Sequence, residues 1–232
     1  MKHIGLIFNG VWSQYAVATA PKYRELYDLV YIHELTAERI ASLDALVIPF
    51  QSNQPALEAR KNVLYAFLAA EKKIAVFGDS TPLWLDAQWE DRPVNNYWWV
   101  KTPDQPPIAH TDRTHPVFAD LAPRHACWHI HGVYTRLPEN SRVIQRNSEQ
   151  EIVTWETDRY GGALFVSTLD PMVEHGIQQI RHLDHFVDKL TTWLCGETPT
   201  GSFTIDREAY GVRAVPGVAA GGAQAAGCTA CR

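Results

Sequence analysis

The segment Lys73-Ile74-Ala75-Val76-Phe77-Gly78-Asp79-Ser80-Thr81-Pro82 sets the frame for the rest of the chain. Its apolar run is continuous and short. It breaks at a glycine, continues through polar residues, and reaches a proline suited to the first turn of a helix. This pattern predicts a buried parallel strand that runs into a sharp strand-to-helix turn. In α/β proteins such turns display reactive or ligand-gripping side chains, and Gly78-Asp79-Ser80 has the Gly-x-Ser form of a nucleophile elbow. The elbow usually closes on a second glycine, whereas Pro82 stands there in this chain.

Upstream, strand and helix signals alternate. Ile4 to Phe8 reads as a first strand, Asn9-Gly10-Val11-Trp12 as the loop at its carboxyl end, and Ser13 to Ala20 as a helix. Leu29 to His33 predicts a second strand, Thr36 an N-cap, and Ala45 to Phe50 a third strand. The polar loop Gln51-Ser52-Asn53-Gln54-Pro55 follows. Ala56 to Lys72 then predicts one amphipathic helix, with Leu57, Leu64 and Leu68 on its apolar face. Alternation with short connections is the signature of a parallel sheet covered on both faces.

Downstream the pattern breaks. Trp84, Trp89, Trp98 and Trp99 fall in a proline-rich stretch without helical period, read as an ordered aromatic insertion. Aromatic mass of this kind is costly to leave in water, so it forms either a satellite core or a ligand-stacking wall. Cys127-Trp128-His129-Ile130-His131-Gly132-Val133-Tyr134 alternates apolar residues with imidazoles, predicting a half-buried strand that turns His129 and His131 to one side. Such a pair can bind metal, shuttle protons or serve as satisfied structural polar groups. No neighbouring triplet in the sequence completes a metal set, so no metal or cofactor is assigned. Residues 142–145 and 152–156 predict an antiparallel hairpin, and 161–169 a further buried strand ending at Asp170-Pro171. Ile177 to Leu194 predicts an amphipathic helix stopped by Gly196.

The bulk numbers narrow the function classes. The chain has 232 residues, 46% of them hydrophobic, enough for a sizeable core. A formal charge of −5 is the wrong sign for a general nucleic-acid footprint. No run approaches the roughly 18 apolar residues of a membrane helix, and the apolar start is too short for a signal-peptide core, so a cytoplasmic address is expected. Residues 1–196 are read as one domain and 197–232 as a Gly/Ala-rich flexible tail. The tail carries Cys228 and Cys231, a Cys-x-x-Cys without the second pair a zinc site wants.

The strand and turn at 74–85, Thr114-His115-Pro116-Val117-Phe118, and Gly161-Gly162-Ala163-Leu164-Phe165-Val166-Ser167-Thr168-Leu169-Asp170-Pro171 with His175-Gly176 carry a family likeness. Across residues 1–196 the chain resembles the class I glutamine amidotransferase-like superfamily, nearest to its trehalose-utilisation-type (ThuA-like) members. The resemblance implies a flavodoxin-like three-layer sandwich with a mostly parallel sheet and a site at the carboxyl ends of its strands. It also implies what is missing. The position of the glutaminase cysteine holds Ser80, that of the catalytic histidine Asp170, that of its glutamate Met172, and that of the oxyanion glycines Phe50-Gln51-Ser52-Asn53. Glutamine hydrolysis is therefore not expected, because its nucleophile, base and orienter act as one unit.

Two readings follow. In one, the domain is a non-glutaminase module that grips a small polar ligand or docks on a protein partner, with Asn9, Ser52, Asp79, Trp98 and Trp99 as ligand-binding candidates. In the other it is a serine-dependent hydrolase of a small polar substrate. There Ser80 is nucleophile, a histidine among His129, His131 and His175 is base, and Asp170 is orienter. Neither reading involves nucleic acid or membrane, and both are compatible with a homo-oligomer.

Overall fold

In a computed structural model of the chain, residues 3–93, 97–178 and 180–205 are described. Their strands are β1 (Ile4–Phe8), β2 (Tyr27–Tyr31), β3 (Ala45–Ile48), β4 (Lys73–Phe77), β5 (Gln88–Asp91), β6 (Ile108–Thr111), β7 (Gly132–Arg136), β8 (Arg142–Asn147), β9 (Ile152–Thr157) and β10 (Leu164–Ser167). The helices are α1 (Trp12–Thr19), α2 (Ala37–Ile40), α3 (Gln54–Glu58), α4 (Lys61–Ala69), α5 (Trp98–Lys101), α6 (Pro171–Gln178) and α7 (Arg181–Cys195).

One mixed sheet runs β2-β1-β3-β4-β10-β9-β7-β5, with β8 on β9 and β6 on β8. From β2 to β10 every pairing is parallel; from β10 outward every pairing is antiparallel. The α/β class and the parallel run are as expected. The antiparallel strands are a partial departure from the expectation of a mostly parallel sheet, because they reach beyond the 142–156 hairpin. The aromatic insertion supplies β5, the segment just after it supplies β6, and the histidine segment runs into β7.

The parallel strands explain their own composition. Ala45 and Val47 of β3, Ala75 and Phe77 of β4, and Phe165 of β10 enter one apolar core. Their neighbours Leu46, Ile48, Ile74, Val76, Leu164 and Val166 enter the other. Alternate side chains of each strand are thus buried on opposite faces, which is why these strands read as unbroken hydrophobic runs. Helices α1, α6 and α7 cover the first core through Val17, Met172, Phe186, Val187 and Leu190. Helices α2, α3 and α4 cover the second through Ile40, Leu57, Leu64 and Phe67.

Several element boundaries differ from expectation. The second strand begins at Tyr27, where pairing with Ile4 places it in register with β1. The helix expected over 56–72 is two helices. The Arg60 amide bonds Leu57 O rather than Ala56 O, and its guanidinium takes Ala56 O and His33 O instead. That tightens the end of α3 and redirects the chain. No helix follows the elbow: Trp84 and Leu85 bury into the second core, and the chain turns directly to β5. The expected helix over 177–194 starts earlier, at Pro171, and is interrupted between α6 and α7. Gly176 lets α6 pack against α1, since a Cβ there would lie 2.2 Å from Ser13 O.

Trp98 and Trp99 belong to a third cluster, with Trp98 buried against Cys127, Trp128 and Leu183 and Trp99 packed on it. Of the two expectations for the insertion, this packing is that of a satellite core. Helix α7 ends at Gly196 in the left-handed conformation, as the sequence predicts. Beyond it Phe203 packs into the first core. The Gly/Ala-rich stretch with Cys228 and Cys231 lies outside the described residues.

Candidate functional site at the carboxyl edge of the sheet

Because β1, β3, β4 and β10 are parallel neighbours, the loops after them share one edge. The connection after β1 leads to β2 on one side and that after β3 to β4 on the other, so the strand order reverses between these two loops, the crevice where open α/β sheets bind ligands. Asn9 spans that crevice, its Nδ2 donating to Gln51 O at 3.1 Å. Gln14, in the first turn of α1, donates to Phe50 O at 2.9 Å. Ser52 turns inward, its hydroxyl donating to Pro49 O at 2.6 Å.

Gln51 holds a φ of 65°, a left-handed conformation costing of order 1–3 kcal/mol for a non-glycine residue. Here the backbone adopts a conformation that favours glycine without having one, and its hydrogen bonds from Asn9 and Gln14 hold it there. At the end of β4, Gly78 is left-handed as well, with φ 80°.

The histidines arrive by a different route from the one expected. Trp128 to His131 is loop, and β7 begins only at Gly132. Irregular backbone, not strand alternation, turns both imidazoles inward. Gln145 anchors the start of this loop by donating to Ala126 O at 2.7 Å, and the Arg92 amide anchors its end on His131 O at 3.1 Å. Phe50 stacks on His131 with centroids 4.3 Å apart, and Trp128 stacks on His129 at 4.6 Å, fixing both ring planes.

Asp170, immediately before Pro171 at the start of α6, meets both rings. Its Oδ2 lies 2.9 Å from His131 Nε2 and 4.0 Å from His129 Nδ1. Glu174, one turn later, approaches His129 Nδ1 to 3.8 Å. Burial pushes the Glu174 carboxyl above its ordinary range, Asp170 adds to this, and His131 opposes it. Asp79 borders the same imidazole. Burial pushes its carboxyl up too, against the opposing effects of backbone N–H groups, including that of Gln51, and of His131.

Ser80 does not join this group in the way a hydrolase requires. Its hydroxyl is buried and hydrogen-bonded at 2.7 Å to the hydroxyl of Tyr134 on β7. The nearest structural equivalent of a base–orienter pair, His131–Asp170, has no hydrogen bond to it among the described contacts. His175 departs further. It lies on α6 facing α7, 2.8 Å from Asp184 and stacked on Phe203, beside a cleft of about 590 Å³ that Lys22 and Asp188 also line. Tyr134, Glu174 and Phe50 are site residues that the sequence reading missed. Only the spacing of Asp170 and Glu174, four apart behind a helix-starting proline, offered a signal.

The histidine loop also faces a titrating neighbour. His182 of α7 packs on Trp128, and burial, with Arg124, His125 and His175 adding, holds its pKa down to about 4. A buried neutral imidazole stabilises the fold fully above its unfolded pKa near 6.5, and that contribution is lost as pH falls from there to about 4. We expect the protein at pH 5 to have lost on the order of 1 kcal/mol through this residue, discounted for solvent still reaching the ring. Urea melts at pH 7 and 5 check this: His182→Gln should reduce the difference between them, and an unaltered difference would refute the assignment.

No family model matches the chain, and no curated protein matches it. Solved structures do share its fold. A cytoplasmic protein, STM1381, of Salmonella typhimurium LT2 superposes with TM-score 0.54 at 13% identity, covering 84% of this chain and all (100%) of that one. A ThuA-like protein of Bacteroides uniformis, so described as putative, gives 0.55 at 10%, covering 87% and 94%. A similarly described GMP synthase protein of Thermoplasma acidophilum gives 0.50 at 11%, covering 83% and 96%. At these identities the relation is one of fold. It agrees with the family likeness of the sequence at that level and carries no activity with it.

Proposed function

We propose that the chain is a non-glutaminase module of this fold that binds a small polar ligand at the carboxyl edge of its sheet. One observation carries the reading. Buried polar atoms without a hydrogen-bond partner gather on that edge: Asn9 Oδ1, Gln14 Oε1, Asp79 Oδ1, Thr81 Oγ1, Thr168 Oγ1 and Asp170 Oδ1. Each costs about 1–3 kcal/mol while unmet, so their concentration in one place fits a surface completed by a polar partner. The absence of the glutaminase cysteine and histidine from positions 80 and 170 supports the loss of amide hydrolysis.

A thermal-shift screen of sugars, nucleotides and small carboxylates tests the reading. A ligand at about 100 times its Kd contributes about 2.7 kcal/mol and should raise Tm by about 5–10 °C in a chain this long. Asp79→Asn should abolish most of that shift. A panel without a single stabilising compound counts against ligand binding. Fluorophosphonate labelling of Ser80, lost in Ser80→Ala, would instead establish the hydrolase reading; with Ser80 tied to Tyr134 we expect no labelling.

A further inference from the structure

We infer that His129, His131 and Asp170 form a binding site for a first-row transition-metal dication. Their candidate donor atoms all lie within 4.8 Å of one another. A Zn²⁺ bound at about 2.0–2.2 Å to each donor needs them about 3.3 Å apart in tetrahedral geometry. His131 and Asp170 already stand closer than that, at 2.9 Å, through a hydrogen bond that the ion would replace. His129 stands at 4.0 Å from the same oxygen, and the set spans up to 4.8 Å, so closing it around an ion takes side-chain movement of about 1–2 Å.

Two further observations point to an ion. Asp170 is 2% exposed, and its Oδ1 has no hydrogen-bond partner, so a buried carboxylate oxygen in this cluster lacks a compensating group. Asp79 and Glu174 border the same two imidazoles, so carboxyl groups outnumber imidazoles in this partly buried cluster. A dication balances that excess, whereas neutral imidazoles do not. Two nitrogens and a carboxylate select ions of the zinc, manganese, iron and cobalt group over calcium or magnesium, which prefer all-oxygen sets. The stacking of Phe50 and Trp128 on the two rings supplies the fixed ring orientation that metal ligands need. Three protein donors leave at least one position open. In that last respect only, the inference rests on the proposed ligand function, since an oxygen of the bound molecule would occupy that position.

The test uses metal alone, so its failure leaves ligand binding standing. Chelator-treated full-length protein is titrated with Zn²⁺ by calorimetry, and with Co²⁺ by visible spectroscopy. About one ion per chain is expected, with Co²⁺ bands of a nitrogen and oxygen set and no thiolate charge transfer. His131→Ala and Asp170→Asn, each first shown folded by circular dichroism, should weaken binding by about 100-fold or more, beyond the 10–100-fold typical of outer-shell partners. Cys228→Ser/Cys231→Ser should leave it unchanged. No binding to the wild type, binding unaffected by His131→Ala, or binding lost only with the cysteines would each overturn the inference.

Discussion

Phe165→Ala is expected to destabilise the protein by about 3–5 kcal/mol, the range for truncating a large buried ring. Phe165 is fully buried on β10, the strand where the parallel and antiparallel parts of the sheet meet. Its ring lies 6.0 Å from that of Phe77, 6.2 Å from Phe118, 5.5 Å from His115 and 5.7 Å from Trp193. These neighbours come from the sheet, the 114–121 segment and α7, so no single element can relax into the void. At 2–4 °C per kcal/mol, Tm should fall by about 10 °C, and Phe165→Leu should recover most of the loss. Urea denaturation measures both variants. A cost below 1 kcal/mol for the alanine variant would mean that this contact set does not organise the core.

Gly78→Ala should be comparably damaging, by about 2–5 kcal/mol, for two separable reasons. The position has φ 80°, where a side chain adds roughly 1–2 kcal/mol of strain. A Cβ there would also lie 2.2 Å from Cδ2 of Phe50, and overpacking of this kind adds about 1–3 kcal/mol. Phe50 must then move, and with it the ring face on which His131 stacks. The variant should therefore lose metal affinity as well as stability. Adding Phe50→Ala should remove the steric part and leave the conformational part, so the two substitutions together should cost less than their sum. Strict additivity in thermal melts would show that the clash is not what makes this glycine necessary.

The two substitutions also separate what was legible in the chain from what was not. Phe165 sits in a run whose continuous apolar character announces a strand buried on both faces, and β1, β3 and β4 are readable for the same local reason, whereas β8 and β9 are readable as a hairpin. Gly78 was readable as a turn, but the helix expected after it was not formed. Trp84 and Leu85 gain more by entering the second core than by continuing a helix. The histidines show the same limit. Alternation of Trp128, His129, Ile130 and His131 is what a half-buried strand looks like, yet the loop has the same sequence and different neighbours. Ser80 has the motif of a nucleophile, and only the fold brings Tyr134, fifty-four residues away, to its hydroxyl.

The residues by themselves determined which segments must leave water and which glycines turn the chain, because burial and backbone freedom are properties of each residue and its near neighbours. Tertiary structure alone decided that Asp170 meets His129 and His131, that Ser80 faces a tyrosine, and that His175 belongs elsewhere. Such pairings depend on which strand ends share an edge, and pairing between strands distant in sequence leaves no local trace.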